Sequence, residues 1–210
     1  YISFLDSDDV WLPDKLEKQI NALINNPGYD IYYGDMILID ESGYEISRFN
    51  MKRYSGKVTS KLIADNFISM STTLTKKECF TRNGIFNERD RLAEDYDLWL
   101  RFSINCKFFY IPEYMCKYRV MENQLSSDAG RRLAINEEII MNFIKTNKNI
   151  LTRPEINRGL SHFYARKARH EAGTSKLHRA IITLAKSFYY DPLWVVPWRV
   201  ITRWMLGSRD

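Results

Sequence analysis

The spacing of apolar residues changes once, near Gly130, and this change limits the fold more than any other feature of the chain. Before it, apolar runs of strand length alternate with helical stripes; after it, only helical spacing remains. Strands alternating with helices, then helices alone, predict an α/β domain over residues 1–128 and an α-helical tail over 129–210.

Within the first region, Tyr1 to Leu5 reads as a strand that runs into Asp6-Ser7-Asp8-Asp9. Pro13 suits a first helical turn, and Leu16, Ile20, Leu23 and Ile24 supply a stripe that Asn26-Pro27-Gly28 ends. Residues 30–40 read as a strand, and the Asp40-Glu41-Ser42-Gly43 turn leads to a second one through Ile46 and Phe49. Residues 57–66 are helical in pattern and 70–75 are β-rich, followed by a short helix closed by Asn83-Gly84. A further helix is expected over 94–103, and two short strands around Pro112 within 107–120. Helices over 131–146, 155–172, 176–190 and 193–206 fill the tail.

Charge divides along the same line. Residues 1–129 hold sixteen Lys/Arg against twenty Asp/Glu, whereas 130–210 hold fifteen against six, so the net +5 conceals an acidic front and a basic tail. The three cysteines, Cys79, Cys106 and Cys116, form no CxxC pair and read as reduced core residues, which favours a reducing, cytoplasmic compartment. No uninterrupted apolar stretch is long enough to cross a bilayer, and no signal peptide is visible. The chain opens with Tyr1 inside an apolar run, and is therefore expected to be cut from a longer one.

Asp6, Ser7, Asp8 and Asp9 follow the carboxyl end of the first strand, the edge at which open α/β sheets bind ligands. Carboxylates so close repel unless a cation joins them, and hard divalent ions prefer oxygen ligands shared with phosphates. An EF-hand is excluded, because Val10 takes a ligand position and Trp11 replaces the required glycine. The alternative is a solvated turn, with Asp9 capping the next helix. A second acidic cluster, Glu94-Asp95-Tyr96-Asp97, opens the 94–103 helix. Asp95, Leu98, Trp99 and Phe102 share one face, while Asp97 and Arg101 can pair on another. Asp95 reads equally as a general base beside Trp99 or as a first-turn acid favoured by the helix dipole.

Together these segments resemble glycosyltransferase family 2, the inverting enzymes of the GT-A fold, a Rossmann-like nucleotide-diphospho-sugar transferase domain. Tyr1 to Pro13 looks like the family's strand and DxD motif, Tyr33-Gly34-Asp35 its next strand, and Met70 to Glu88 its acceptor-side segment. Glu94-Asp95-Tyr96-Asp97-Leu98-Trp99 is similar to the ED motif, and Tyr118-Arg119-Val120 to the final strand. The resemblance implies a transferase that moves a sugar from a nucleotide-sugar donor, commonly a UDP-sugar, to a glycan or lipid-linked acceptor. Polysaccharide or glycolipid synthesis at the cell surface is the role it suggests. It gives Asp6, Ser7, Asp8 and Asp9 to the donor, with Asp8 and Asp6 holding Mn²⁺ or Mg²⁺. Asp95 becomes the catalytic base, and Glu94 and Trp99 lie on the acceptor side.

Two departures from the pattern stand out. Met121 occupies the place where family members often carry a metal-assisting His, with Glu122 as a nearby substitute. The family's leading strands and nucleotide-base contacts would precede Tyr1, which implies a GT-A domain truncated at its N-terminus and weak donor binding by this chain alone. A non-catalytic acceptor-binding or assembly module is the competing expectation.

In the tail, His162, His170 and His178 are spaced eight apart, which suits solvated helix histidines rather than a metal site. Leu193 to Leu206 mixes tryptophans with Arg199 and Arg203, and reads either as a peripheral membrane contact or as packing against the first domain. Nucleic-acid binding is disfavoured, because these aromatics lie in apolar helical runs rather than on an exposed stacking sheet.

Overall fold

The computed structural model describes residues 1–48, 51–87, 92–121, 124, 128–174 and 176–205. They form two compact units: Tyr1–Val58 with Phe67–Asp128, and Thr59–Asn66 with the chain from Ala129 onward. In the first lie β1 (Ile2–Ser3), β2 (Val10–Trp11), α1 (Lys15–Asn25), β3 (Ile31–Ile39) and β4 (Glu45–Arg48). After α2 (Thr59–Ala64), which belongs to the second unit, come β5 (Leu74–Thr75), α3 (Lys77–Asn83), α4 (Glu94–Phe102) and β6 (Phe108–Arg119). The strand order is β1-β5-β3-β6-β2, with β4 added to β3. β3 and β6 run parallel and the other pairs antiparallel. Ile31 to Gly34 are buried in succession, the unbroken pattern of a strand covered on both faces.

Residues 107–120, expected as two strands, form one. The reason lies in its register against β3: Tyr33 faces Tyr110, yet Asp35 faces Tyr114, so extra residues on β6 bulge out where Pro112 has no N–H to give. Gly34 sits at this skip, and a Cβ there would lie 2.5 Å from Met115 Cγ and 2.6 Å from the Glu113 carbonyl oxygen.

α1 also departs from expectation. Leu16, Ile20 and Ile24 are exposed, while Lys15 and Gln19 are buried. Carbonyls of the turn before β5 favour this orientation. Gln19 Nε2 donates to Thr72 O at 2.8 Å, and Lys15 Nζ donates to Ser3 Oγ at 2.6 Å, Gln19 Oε1 at 2.9 Å and Thr73 O at 3.2 Å. Lys15 Nζ also stands 4.2 Å above the Trp11 ring.

The β-rich stretch begins as a 3₁₀ turn over Met70–Thr72 before β5. The Thr72 and Thr73 hydroxyls each bond back to the carbonyl three residues earlier, which favours a turn over a ladder. Asn83-Gly84 closes α3 as expected, with Gly84 at φ +80°.

The second unit holds α2, α5 (Ala129–Thr146), α6 (Arg153–Gly173), α7 (Leu177–Tyr190) and α8 (Val195–Met205). Thr152 and Glu155 form a capping box at the start of α6. Gly159 lets α6 approach α2, since a Cβ there would meet Ile63 Cγ2 at 2.6 Å. Trp204, Val196 and Ile201 pack on a core of Ala165, Ala168, Leu184 and Val200, so these tail residues cover helices of their own unit. Leu193, Trp198 and Met205 remain exposed. Among the described residues, no helix is long and apolar enough to cross a membrane.

Candidate functional site

The acidic run is a tight turn immediately after β1. Asp9 N–H donates to Asp6 O at 3.1 Å and closes it. Ser71 holds the turn from the side: its Oγ accepts from Asp6 N–H at 3.1 Å and donates to Asp6 Oδ2 at 3.2 Å. From the end of β6, Arg119 Nε donates to Asp8 O at 3.0 Å, and its Nη1 reaches Asp40 O and Glu41 O at 3.0 and 2.8 Å. Gln124 Nε2 donates to Asp8 Oδ2 at 3.1 Å. Trp11 Nε1 donates to Phe4 O at 3.1 Å and fixes the far side of the turn.

Asp6, Ser7, Asp8 and Asp9 are thus brought together, but they are not equivalent. Asp6 and Ser7 are exposed, Asp8 is half-buried and Asp9 is buried. Asp9 does not cap α1, because its Oδ1 accepts from Arg119 N–H at 3.2 Å and ties the turn to β6. Its Oδ2 is buried without a hydrogen bond. Burial raises Asp9 to about 6; Ser71 and the Arg119 N–H offset part of that rise, and the Asp6 and Asp8 charges add to it. Burial raises Asp6 as well, with Ser71 acting against it and the Asp8 charge with it. Burial is thus the main reason that Asp6 and Asp9 are pushed toward their neutral forms, and a hard cation at the turn would favour the charged ones.

Among the described residues, no group of three or more His, Cys, Asp or Glu side chains is placed to hold a metal ion. A closed protein cage is not what these residues build. One or two carboxylate oxygens at a strand edge fit the other mode, in which a divalent cation takes most of its ligands from substrate phosphates and water.

Glu94 and Asp95 open α4, with Glu94 exposed and Asp95 half-buried. Asp95 Oδ1 accepts from Tyr96 N–H at 2.7 Å. Asp97 and Arg101 form the expected ion pair at 2.9 Å, and Arg101 Nη2 donates to Ile85 O at 2.8 Å. Trp99 is fully buried, packed edge-on to Phe102 and Phe108, with its Nε1 unpaired. It backs the helix from the core and offers no surface to an acceptor. Aromatic contacts run from the acidic turn to this helix: Phe4 meets Phe80 at 6.0 Å, Phe80 meets Phe102 at 4.9 Å, and Phe102 meets Trp99 at 6.0 Å.

Sequence reading missed Ser71, Gln124 and Lys15 as supports of this region. Ser71 and Gln124 lie 65 and 116 residues from their carboxylate partners, and no local pattern announces such pairs. Met121 stands where a His was looked for, and Gln124 approaches Asp8 from the same segment. Glu122, the suggested substitute, lies outside the described residues.

A mixed α/β unit with this strand-edge turn, accompanied by helices, is consistent with a GT-A-like glycosyltransferase domain. Residues 1–188 match the model of the glycosyltransferase like family 2, and the chain belongs to that family. It is similar to an uncharacterized glycosyltransferase of Methanocaldococcus jannaschii, 32% identical over 136 residues, covering 63% of this chain and 47% of the relative. It is also similar to an Escherichia coli UDP-Glc:alpha-D-GlcNAc-diphosphoundecaprenol beta-1,3-glucosyltransferase, WfgD, 28% identical over 153 residues, covering 69% and 55% of the two chains. The E. coli O-antigen biosynthesis glycosyltransferase WbnJ is 30% identical over 135 residues, covering 61% and 50%. The chain spans about half the length of the curated relatives it matches.

Proposed function

We propose that this chain carries the metal-binding and acceptor side of an inverting glycosyltransferase. Its donor is a nucleotide-diphospho-sugar, a UDP-sugar by the chemistry named for one relative. The acceptor is a hydroxyl of a glycan or lipid-linked sugar, in the synthesis of a cell-surface polysaccharide or glycolipid; the names of two relatives support that direction. The observation that carries the reading is the turn after β1 that gathers Asp6, Asp8 and Asp9 and is held by Ser71, Arg119 and Gln124.

In this reading Asp8, with Asp6, would hold Mn²⁺ or Mg²⁺ at the donor side of the site. The bound ion supplies Lewis-acid stabilisation of the charge that gathers on the departing diphosphate. Ser71 and Gln124 orient the two carboxylates, and Arg119 fixes the main chain beneath them. Asp95 takes the proton of the acceptor hydroxyl as its oxygen bonds to the anomeric carbon. The bond to the diphosphate oxygen breaks on the opposite face, which inverts that carbon. Glu94, exposed beside Asp95, contributes to acceptor binding. The reaction takes place at the cytoplasmic face of a membrane, where exposed Leu193, Trp198 and Met205 with Arg199 suit a peripheral contact.

The test is sugar transfer across a panel of nucleotide sugars, with Mn²⁺ or with EDTA, using the gene product that contains this chain. Transfer that requires the metal and disappears in Asp8→Ala supports the proposal. Transfer that is unchanged by both EDTA and Asp8→Ala would leave the turn a structural one, and a non-catalytic binding module would become the better reading.

A further inference from the structure

Within the helical unit, an open pocket of about 170 Å³ lies between α5 and α6, lined by Ala129, Arg132, Leu133 and Asn136 from one helix and Arg166, Arg169 and His170 from the other. The spacing explains the convergence. Residues 129, 132, 133 and 136 share one face of α5, and 166, 169 and 170 share one face of α6. Three guanidinium groups and an imidazole therefore meet, with no carboxylate among the lining side chains.

We propose that this pocket binds a phosphate or diphosphate group. Arg166 is held in place by Asp65 at 2.5 Å and by Ala64 O at 3.2 Å, and so forms a fixed wall. Arg132 and Arg169 have no ion pair among the described residues. Asn136 lines the same pocket, and its buried Oδ1 has no hydrogen bond. With the amide turned by half a rotation, an NH₂ donor would take the place of that unpaired oxygen. Planar guanidinium forks are the groups best matched to phosphate oxygens, and several of them together fix orientation as well as charge.

The surrounding groups record the same positive field. His162, half-buried on α6, is lowered to about 4 by burial first and then by Arg166 and Arg169, so it is a neutral, enclosed histidine rather than a solvated one. Arg169 is itself lowered by burial, with Arg203 and Arg166 repelling it and Asp65 acting the other way. An anion between these cations removes the repulsion. The pocket lies in the second unit and its ligand chemistry does not depend on the transferase reading.

The experiment is a calorimetric titration of the whole chain with inorganic pyrophosphate in EDTA, which withholds any divalent cation from the carboxylate turn. Saturable binding that weakens about tenfold or more in Arg132→Ala/Arg169→Ala, and is retained in Asp8→Ala, is the expected result. Both arginines are exposed, so the double variant should keep its helical circular dichroism; Arg132→Ala alone carries the same prediction with a smaller loss. Absence of saturable binding in wild type, or equal binding in the double variant, would overturn the assignment. A second arm uses phosphatidylcholine vesicles with and without phosphatidic acid. Capture that needs phosphatidic acid and both arginines assigns the phosphate to a lipid headgroup; pyrophosphate binding without capture assigns it to a soluble or substrate-borne phosphate.

Discussion

Replacing Gly34 by alanine should destabilise the sheet unit out of proportion to one methyl group. The new Cβ would lie 2.5 Å from Met115 Cγ, 2.9 Å from Met115 Cε and 2.6 Å from the Glu113 carbonyl oxygen. Carbon pairs sit comfortably at about 3.5–4.0 Å, so the shortfall is about an ångström at the first of these contacts. Met115 is fully buried and cannot swing into solvent, and the Glu113 oxygen is main chain at the β6 bulge. Overpacking of this sort costs roughly 1–3 kcal/mol, and a clash with main chain belongs near the upper end. At roughly 2–4 °C per kcal/mol for a chain of this size, melting should fall by about 6–12 °C. Thermal unfolding followed by circular dichroism, repeated in urea, measures it. Gly28→Ala is the control, because nothing lies within 4 Å of the Cβ it would gain. Equal melting of wild type and Gly34→Ala would refute the close approach of β3 and β6 on which the register rests.

Two further outcomes follow from buried groups. Burial lowers the ammonium of Lys15 from its ordinary 10.5 to about 8. Between these values the unfolded chain binds the proton and the folded one does not, so stability should rise as pH climbs from about 8 to 10.5, by about 3 kcal/mol. Urea unfolding of wild type against Lys15→Met across that window reads this contribution; parallel curves for the two proteins would rule it out. Gly159→Ala should destabilise the helical unit by about 1–2 kcal/mol despite alanine's better helix propensity, because the added Cβ meets Ile63 Cγ2 at 2.6 Å. In an Ile63→Ala background the same change should cost less, and a strictly additive double variant would contradict the contact.

What the sequence made legible was periodic or local. The β3 run, the Asn83-Gly84 stop, the tail helices and the Asp97–Arg101 pair all rest on residues a few positions apart. The glycosyltransferase resemblance was legible because five separate segments occur in one order along the chain. What escaped notice depends on partners far along the chain. Of the apolar stripe Leu16, Ile20, Leu23 and Ile24 in α1, only Leu23 packs on the core, because the carbonyls of Thr72 and Thr73 draw Lys15 and Gln19 inward. Pro112 looked like a strand break until a parallel neighbour absorbed it as a bulge. Trp99, which the resemblance put on the acceptor side, shares its face with Leu98 and Phe102, and that apolar face is the one that is buried. Spacing tells which residues share a face; only packing tells which way the face turns.

In the proposed mechanism Asp8 serves the donor while Asp95 serves the acceptor's proton. Donor binding and sugar transfer, measured side by side for wild type, Asp8→Ala and Asp95→Asn in the gene product that contains this chain, separate the two roles. Asp8→Ala should lose both, and Asp95→Asn should keep donor binding while its transfer falls by about 10²–10⁴-fold, the scale of a lost general base. Undiminished transfer in Asp95→Asn would contradict this mechanism.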